Sequence, residues 1–230
     1  MRYSANLNII IKALEKASNH LARDFMELEN LQSNPNSANK FAILSQNRVK
    51  QILIDEFSKF RANYDIRFSD GEEIIRTENN EYSFAVIALD GIDNLARSNP
   101  DFVTAVALLH RSSDNKFETI ALATIKVIGG ELFYCEKGFG AYLNNRRIRV
   151  SKRNHNQHIV VNDSSCKIEK NILQRCYGSP ILSISYFASA RCEQVYLESN
   201  NSFVKYFFLL AKEAGGKVEE VGQQVIISNV

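Results

Sequence analysis

The chain has 230 residues, 45% hydrophobic and 10% aromatic, with 28 Lys and Arg against 26 Asp and Glu for a formal charge of +2. A chain of this size buries roughly 70% of its unfolded surface and needs no metal or disulfide staple, whether it folds as one large domain or two small ones. The near balance of charge argues against a protein built chiefly to coat nucleic acid. No apolar run approaches the ~20 residues of a membrane span. The opening stretch MRYSANLNIIIKALEKASNH is amphipathic and has no signal-peptide core, so a cytoplasmic protein is expected. Cys135, Cys166, Cys176 and Cys192 show no C-x-x-C spacing, which suggests buried or inert thiols rather than a zinc knuckle or a disulfide framework.

Apolar residues at Leu7, Ile10, Ile11, Leu14, Ala17, Leu21 and Phe25 follow the helical period and predict a first helix. The polar stretch Leu31 to Lys40 predicts a loop, and Val49, Ile52, Leu53, Phe57 and Phe60 predict a second helix over Ser45 to Phe60. From Tyr64 onward the runs are short and β-rich: YDIRF, FAVIAL, FVTAVALLH, ETIALATIKVI, ELFYCEK and RIRVS. Gly129-Gly130 and Asn144-Asn145 have hairpin-turn spacing, so an antiparallel sheet is expected in the middle of the chain. A strand IVVN, helices over Glu169 to Cys176 and Ile181 to Ala190, a strand QVYLE, a helix over Phe203 to Ala214 closed by Gly215-Gly216, and a final strand pair follow. The class is α+β turning to α/β, over 1–230 as a single unit, with lobes of about 1–150 and 151–230.

The chemistry is expected where the strand Phe84 to Leu89 runs into Asp90-Gly91-Ile92-Asp93-Asn94. This run resembles the inositol monophosphatase signature W-x-[IV]-D-P-[IL]-D-G-[TS]-x-N. Three further blocks carry the likeness: GELFYCEKGFGAYLNNRRIRVS, YGSPILSISYFASARCEQVYLE preceded by Arg175, and LLAKEAGGKV. By these blocks the chain is identified as similar to that family, nearest its bacterial extragenic-suppressor (SuhB-type) branch. The resemblance implies a layered αβαβα sandwich of the sugar-phosphatase superfamily, a homodimer, and Mg²⁺-dependent hydrolysis of inositol or sugar monophosphates. That reaction needs several carboxylates converging on hard cations, with free backbone N–H groups on the phosphate.

Placed on this sequence, the family's residues are largely replaced. The first signature Asp falls on Ile87 and the Pro on Ala88; the second Asp is kept as Asp90, and the Thr or Ser becomes Ile92. The upstream Glu falls on Asp70, with Glu72 or Glu73 in an alternative register. The D-x-V-T-x-x-D element falls on Lys40 to Gln46, and the W-D that supplies a further ligand falls on Ser202-Phe203. Asp70 and Asp90 are therefore the expected remnant of the metal site, Gly91 and Ile92 N–H groups of the phosphate site, and Glu198 of the substrate site, while Ile87 and Phe203 mark lost ligands. Beside these readings, Asp90-Gly91 is a common turn dipeptide and Glu198 an ordinary surface residue.

The chain between RIRVS and RCYGS, and after AGG, is shorter than the family pattern, so the usual final helix is not expected. The run Arg146, Arg147, Arg149, Lys152, Arg153 with His155 and His158 reads as a solvated edge or as a contact for RNA or an acidic partner; His20 and His110 read as structural. The expectation is a catalytically degenerate member acting as a binding or scaffold protein, with a transcription- or RNA-linked partner or a small phosphorylated ligand, and with Mg²⁺ absent or weakly held. The alternative is a Mg²⁺-dependent phosphatase with a reduced site.

Overall fold

A computed structural model of the chain describes residues 4–28, 35–77, 80–153, 159–164 and 173–229. Helix α1 (Ala5–Leu28) starts where the Ser4 hydroxyl accepts the Leu7 N–H at 3.1 Å, and every apolar residue of the predicted stripe is buried. Helix α2 (Pro35–Phe60) begins well before Ser45, so Pro35 to Lys40 are helical rather than loop, while residues 31–34 lie outside the described residues. Proline suits a first helical turn, and the buried face continues through Ala38 and Ala42, whose small side chains leave little hydropathy signal. Phe60, expected on the buried face, is 53% exposed at the end of the helix.

The first sheet contains β1 (Asp65–Phe68), β2 (Glu73–Ile74), β3 (Tyr82–Asp90), β4 (Val103–Arg111), β5 (Phe117–Lys126), β6 (Glu131–Glu136), β7 (Gly140–Leu143) and β8 (Arg146–Ile148), in the order β2-β1-β3-β4-β5-β6-β7-β8. It is antiparallel, as expected, except for the parallel pair β1 and β3. Asn144 and Asn145 both have positive φ, 45° and 69°, in the turn from β7 to β8.

The second sheet, of β9 (Ile159–Asp163), β10 (Leu173–Arg175), β11 (Gln194–Glu198), β12 (Lys217–Val221) and β13 (Gln224–Ser228), runs β10-β9-β11-β13-β12. The predicted helix at Glu169 to Cys176 is corrected: residues 169–172 lie outside the described residues, and Leu173–Arg175 pair in parallel with β9. Backbone pairing on an open sheet edge overrides a weak local helical pattern.

Helices α1 and α2 cover one face of the first sheet, while α4 (Pro180–Ala188) and α5 (Phe208–Glu213) lie between the two sheets. The predicted helix over Phe203 to Ala214 is split, with a 3-10 turn at Val204–Phe207 leading into α5. Central strand β3 is buried on both faces and reads as a continuous apolar run. Phe84 and Val86 join the helix-side core, where Phe84 stacks on Phe57 with ring centroids 4.1 Å apart. Ala85 and Ile87 join the core between the sheets, where alanines at 85, 105 and 107 admit α4 closely. A single outer helical layer, the fifth of the expected sandwich, has no counterpart among the described residues.

The glycine pair after α5 turns the chain into β12, with Gly215 at φ 96°. A methyl group on Gly216 would stand 2.8 Å from Phe187 Cζ and 3.1 Å from the Ala211 carbonyl oxygen. Gly216→Ala is therefore expected to destabilise the fold by about 1–3 kcal/mol, lowering Tm by roughly 2–10 °C. A thermal melt followed by circular dichroism checks this, and an unchanged Tm would refute the close approach.

Candidate functional site

The C-terminal ends of β3 and β9 meet the first turn of α4. Pairing of β3 with β4 slips between Ile87, opposite Ala105, and Asp90, opposite Val103. Across this bulge Ala88 and Leu89 both pack on the helix side, and the buried carbonyl of Ala88 accepts the Thr104 hydroxyl at 2.9 Å. The extra residue turns Asp90 to the opposite face, toward α4. There Oδ2 of Asp90 accepts the Ser179 hydroxyl at 2.6 Å and the Ile181 N–H at 2.8 Å. Asp90 thus serves as the cap of α4, satisfying a first-turn N–H that has no partner within the helix.

Gly91 has φ 87°, and a Cβ there would lie 3.0 Å from the Asp101 carbonyl oxygen, so the turn requires glycine. The Gly91 carbonyl accepts the Asn94 and Leu95 N–H groups, opening the short helix α3 (Ile92–Ala96). Asn94 donates its side-chain amide to the carbonyls of Asp101, at 2.7 Å, and Tyr177, at 2.6 Å, tying this turn to the segment before α4. A second carboxylate, Asp163, ends β9. Its Oδ1 accepts the Tyr177 and Gly178 N–H groups at 3.0 and 3.1 Å and the Cys176 thiol at 3.2 Å, and its Oδ2 accepts the Ser183 hydroxyl.

Burial drives the Asp90 carboxyl upward, and the charge of Asp163 adds to this; the bonds from Ser179 and Ile181 oppose it, leaving a pKa of about 6 against an ordinary 3.8. Cys176 is exposed rather than buried, yet desolvation and its bond to Asp163 raise its thiol pKa, so it is a poor nucleophile. Cys135 and Cys192 are buried; Cys166, His155 and His158 lie outside the described residues.

Asp70 follows β1 on the same edge of the first sheet as Asp90, but its carboxylate is taken. Lys50, on α2 and nearly buried, donates to Asp70 and, at 2.8 Å, to Glu72, with its ammonium 5.0 Å from the centre of the Phe68 ring. Desolvation works against charge on both Lys50 and Asp70, and their mutual hydrogen bond outweighs it: the ammonium is raised and the Asp70 carboxyl lowered from their ordinary values. Glu73 pairs instead with Arg67. Lys40 to Gln46 lie within α2, where Ile43 and Leu44 face solvent.

The remaining expected positions are apolar. Ile87 is buried in the core between the sheets, Phe203 packs against that core from the loop after β11, and Ile92 packs on the helix-side core. Glu198 ends β11, paired across to Gln224, one residue beyond Leu197, which lies opposite Asp163. Arg175 is exposed, as are Arg146, Arg147, Arg149, Lys152 and Arg153; Arg153 bonds the buried Glu193 at 2.9 Å. His110 bonds Glu81 at 2.9 Å, and His20 is exposed.

This donor set does not fit the divalent cations of the family pattern. Mg²⁺ takes several anionic oxygens in near-octahedral array. Here Asp90 spends one oxygen on two donors, Asp70 is neutralised by Lys50, and no group of three or more His, Cys, Asp or Glu side chains among the described residues stands close enough to hold a metal ion. Asp163, Ser179 and Lys50 are the site residues that sequence reasoning missed. Ser before Pro180 is a helix-start signal, and Asp163 directly follows an apolar strand, but nothing in the pattern of α2 marks Lys50.

The chain shares the layered fold of the solved suhB and inositol monophosphatase structures it resembles. No family model matches it, but its similarity to known proteins runs through almost its whole length. It is 29% identical to an inositol-1-monophosphatase of Rhizobium meliloti (strain 1021) over 233 residues, 94% of this chain and 85% of that protein. It is 26% identical to the Nus factor SuhB of Vibrio cholerae over 231 residues, 93% of this chain and 84% of that one. The crystal structure of extragenic suppressor protein suhB from Bartonella henselae superposes with a TM-score of 0.80 at 24% identity, covering 99% of this chain and 94% of that chain. Over almost its whole length the chain is thus similar to inositol-1-monophosphatases and to SuhB proteins, and it shares the fold of the solved suhB structure.

Two outcomes follow from this geometry. Below pH 4 the Asp90 carboxyl is protonated in folded and unfolded chains alike. As pH rises the unfolded chain loses the proton first, so stability held in the protonated form is lost between about pH 4 and pH 6. Asp90→Asn, whose amide oxygen accepts the same two bonds, should flatten this slope and stabilise the protein at pH 7.5 by about 1–3 kcal/mol, read from urea melts at about pH 4 and pH 7.5. A variant less stable than the parent at neutral pH would contradict it. Ile87→Asp places an unpaired carboxylate in the inter-sheet core and should cost about 3–5 kcal/mol in the same assay; a cost below 1 kcal/mol would show that the position is still polar.

Proposed function

We propose that this protein works by binding rather than by phosphate ester hydrolysis, a catalytically degenerate member of its family. The observation that carries the reading is the employment of Asp90: its charge caps α4, while Ile87 and Phe203 fill positions where the family pattern has carboxylates. Two-metal hydrolysis takes several kcal/mol of transition-state stabilisation from its cations, and each ~1.4 kcal/mol lost is a factor of ten in rate. On this reading Mg²⁺ is absent or weakly held, and Asp70, Gly91, Ile92 and Glu198 are structural remnants of metal, phosphate and substrate contacts.

The Nus factor name of several relatives supports a partner in a transcription- or RNA-linked assembly, with the exposed arginines of β8 and the segment after it available to an acidic surface. A homodimer and a small phosphorylated ligand complete the proposal.

Two measurements test it. Phosphate release from inositol 1-phosphate at millimolar Mg²⁺ should equal the no-enzyme background. The Tm should stay within about 1 °C on addition of Mg²⁺ plus phosphate, because a ligand stabilises only the state that binds it. Turnover abolished by Asp90→Asn would establish the alternative, a Mg²⁺-dependent phosphatase with a reduced site.

A further inference from the structure

The end of the first sheet opposite Asp90 holds a separate charged cavity. Strand β5 starts at that end, with Phe117 to Thr119 paired to Arg111 to Leu109, whereas Asp90 and Val103 pair at the other. The cavity, of about 290 Å³, opens between Glu118 on β5, Lys137 in the turn from β6 to β7, and Lys205, Phe208, Leu209 and Lys212 on the 3-10 turn and α5. Its volume suits a ligand of few atoms. None of Asp70, Asp90, Gly91, Ile92, Glu198 and Phe203, which the family pattern places around metal and substrate, lines it.

The charge of the cavity is one-sided. Lys137 is paired with Glu118 at 2.8 Å, but Lys205 and Lys212 form no salt bridge among the described residues. The acid beside Lys212, Glu213, is engaged elsewhere, accepting the Gly138 and Gly140 N–H groups at 2.7 Å each. The Lys205 ammonium lies 5.8 Å from the centre of the Tyr206 ring, a contact that leaves its charge uncompensated. Positions 205, 208, 209 and 212 have the i, i+3, i+4, i+7 spacing of one helical face. Two lysines therefore stand at either end of an apolar floor of Phe208 and Leu209, with backbones about 10–12 Å apart along the axis.

This arrangement selects among anions. A lysine ammonium is a point charge on a flexible stem and lacks the planar fork that suits arginine to phosphate. Phosphate and sulfate concentrate their charge at one centre and serve one end of the floor. A short methylene chain with a carboxylate at each end serves both lysines and covers the apolar surface between them.

We propose that this cavity binds a short linear dicarboxylate. The proposal is independent of the reading of the Asp90 region, since the two sites share no residue. Titration of the full chain with succinate, glutarate and adipate, followed by calorimetry and by amide shifts in NMR spectra at low ionic strength, tests it. At least one of the three should bind about tenfold more tightly than acetate or inorganic phosphate, and raising the salt from about 0.02 M to about 0.2 M should weaken it severalfold. Lys205→Gln and Lys212→Gln, both at exposed positions and checked for an unaltered melt, should each weaken binding about fivefold. No binding of any of the three, inorganic phosphate bound as tightly as the best of them, or binding undiminished in either variant overturns the proposal.

Discussion

The carboxylate of Asp90 reaches from the end of β3 to the first turn of α4, and the relative placement of the two sheets depends on that reach. Helix α4 is packed between the sheets, and its N-terminus has N–H groups that no residue of its own can satisfy. A bulge at Ala88 and Leu89 turns Asp90 across the sheet to meet them, and the Thr104 hydroxyl takes up the carbonyl that the bulge leaves open. Asn94 and Asp163 repeat the device from either side, one holding the Tyr177 carbonyl and the other the Tyr177 and Gly178 N–H groups. Three side chains from separate elements therefore fix one short segment before α4. Burial raises the pKa of Asp90, so the link has a cost in charge as well as a structural return.

Around that link Ile87, Ile92 and Phe203 contribute apolar side chains rather than oxygens. Ile87 lies in the core between the sheets, part-buried Phe203 packs against that core, and part-buried Ile92 packs against the core on the other side. Each such side chain, when fully buried, contributes roughly 1.5–3 kcal/mol relative to exposure. The acid that remains at Asp70 is matched by a cation built into the fold, the Lys50 ammonium, held from α2 and seated over Phe68. Apolar packing and an internal ion pair thus stabilise this region.

Much of the architecture is legible in the residues alone. The stripe of α1, the alternation of turns and strands through β8, the Asn144-Asn145 hairpin and the glycine after α5 follow from local periodicity and backbone preference. Local rules fail where tertiary pairing competes. Leu173 to Arg175 join a sheet edge instead of a helix, α2 gains an N-terminal extension through small buried alanines, and Phe203 to Ala214 break into a 3-10 turn and a short helix.

The sequence by itself determined that this chain carries blocks resembling the inositol monophosphatase pattern and that Ile87, Ile92 and Phe203 offer no side-chain oxygen to a cation, because the identity of a side chain sets what it can coordinate. Only the tertiary structure decided what became of the acids that remain. Asp90 meets Ser179, 89 residues away, and Asp70 meets Lys50, 20 residues away. No local period encodes partners at such separations; they are set by which strand end faces which helix. Charge total, the first property read from the chain, turned out to matter less than which partner each buried carboxylate found.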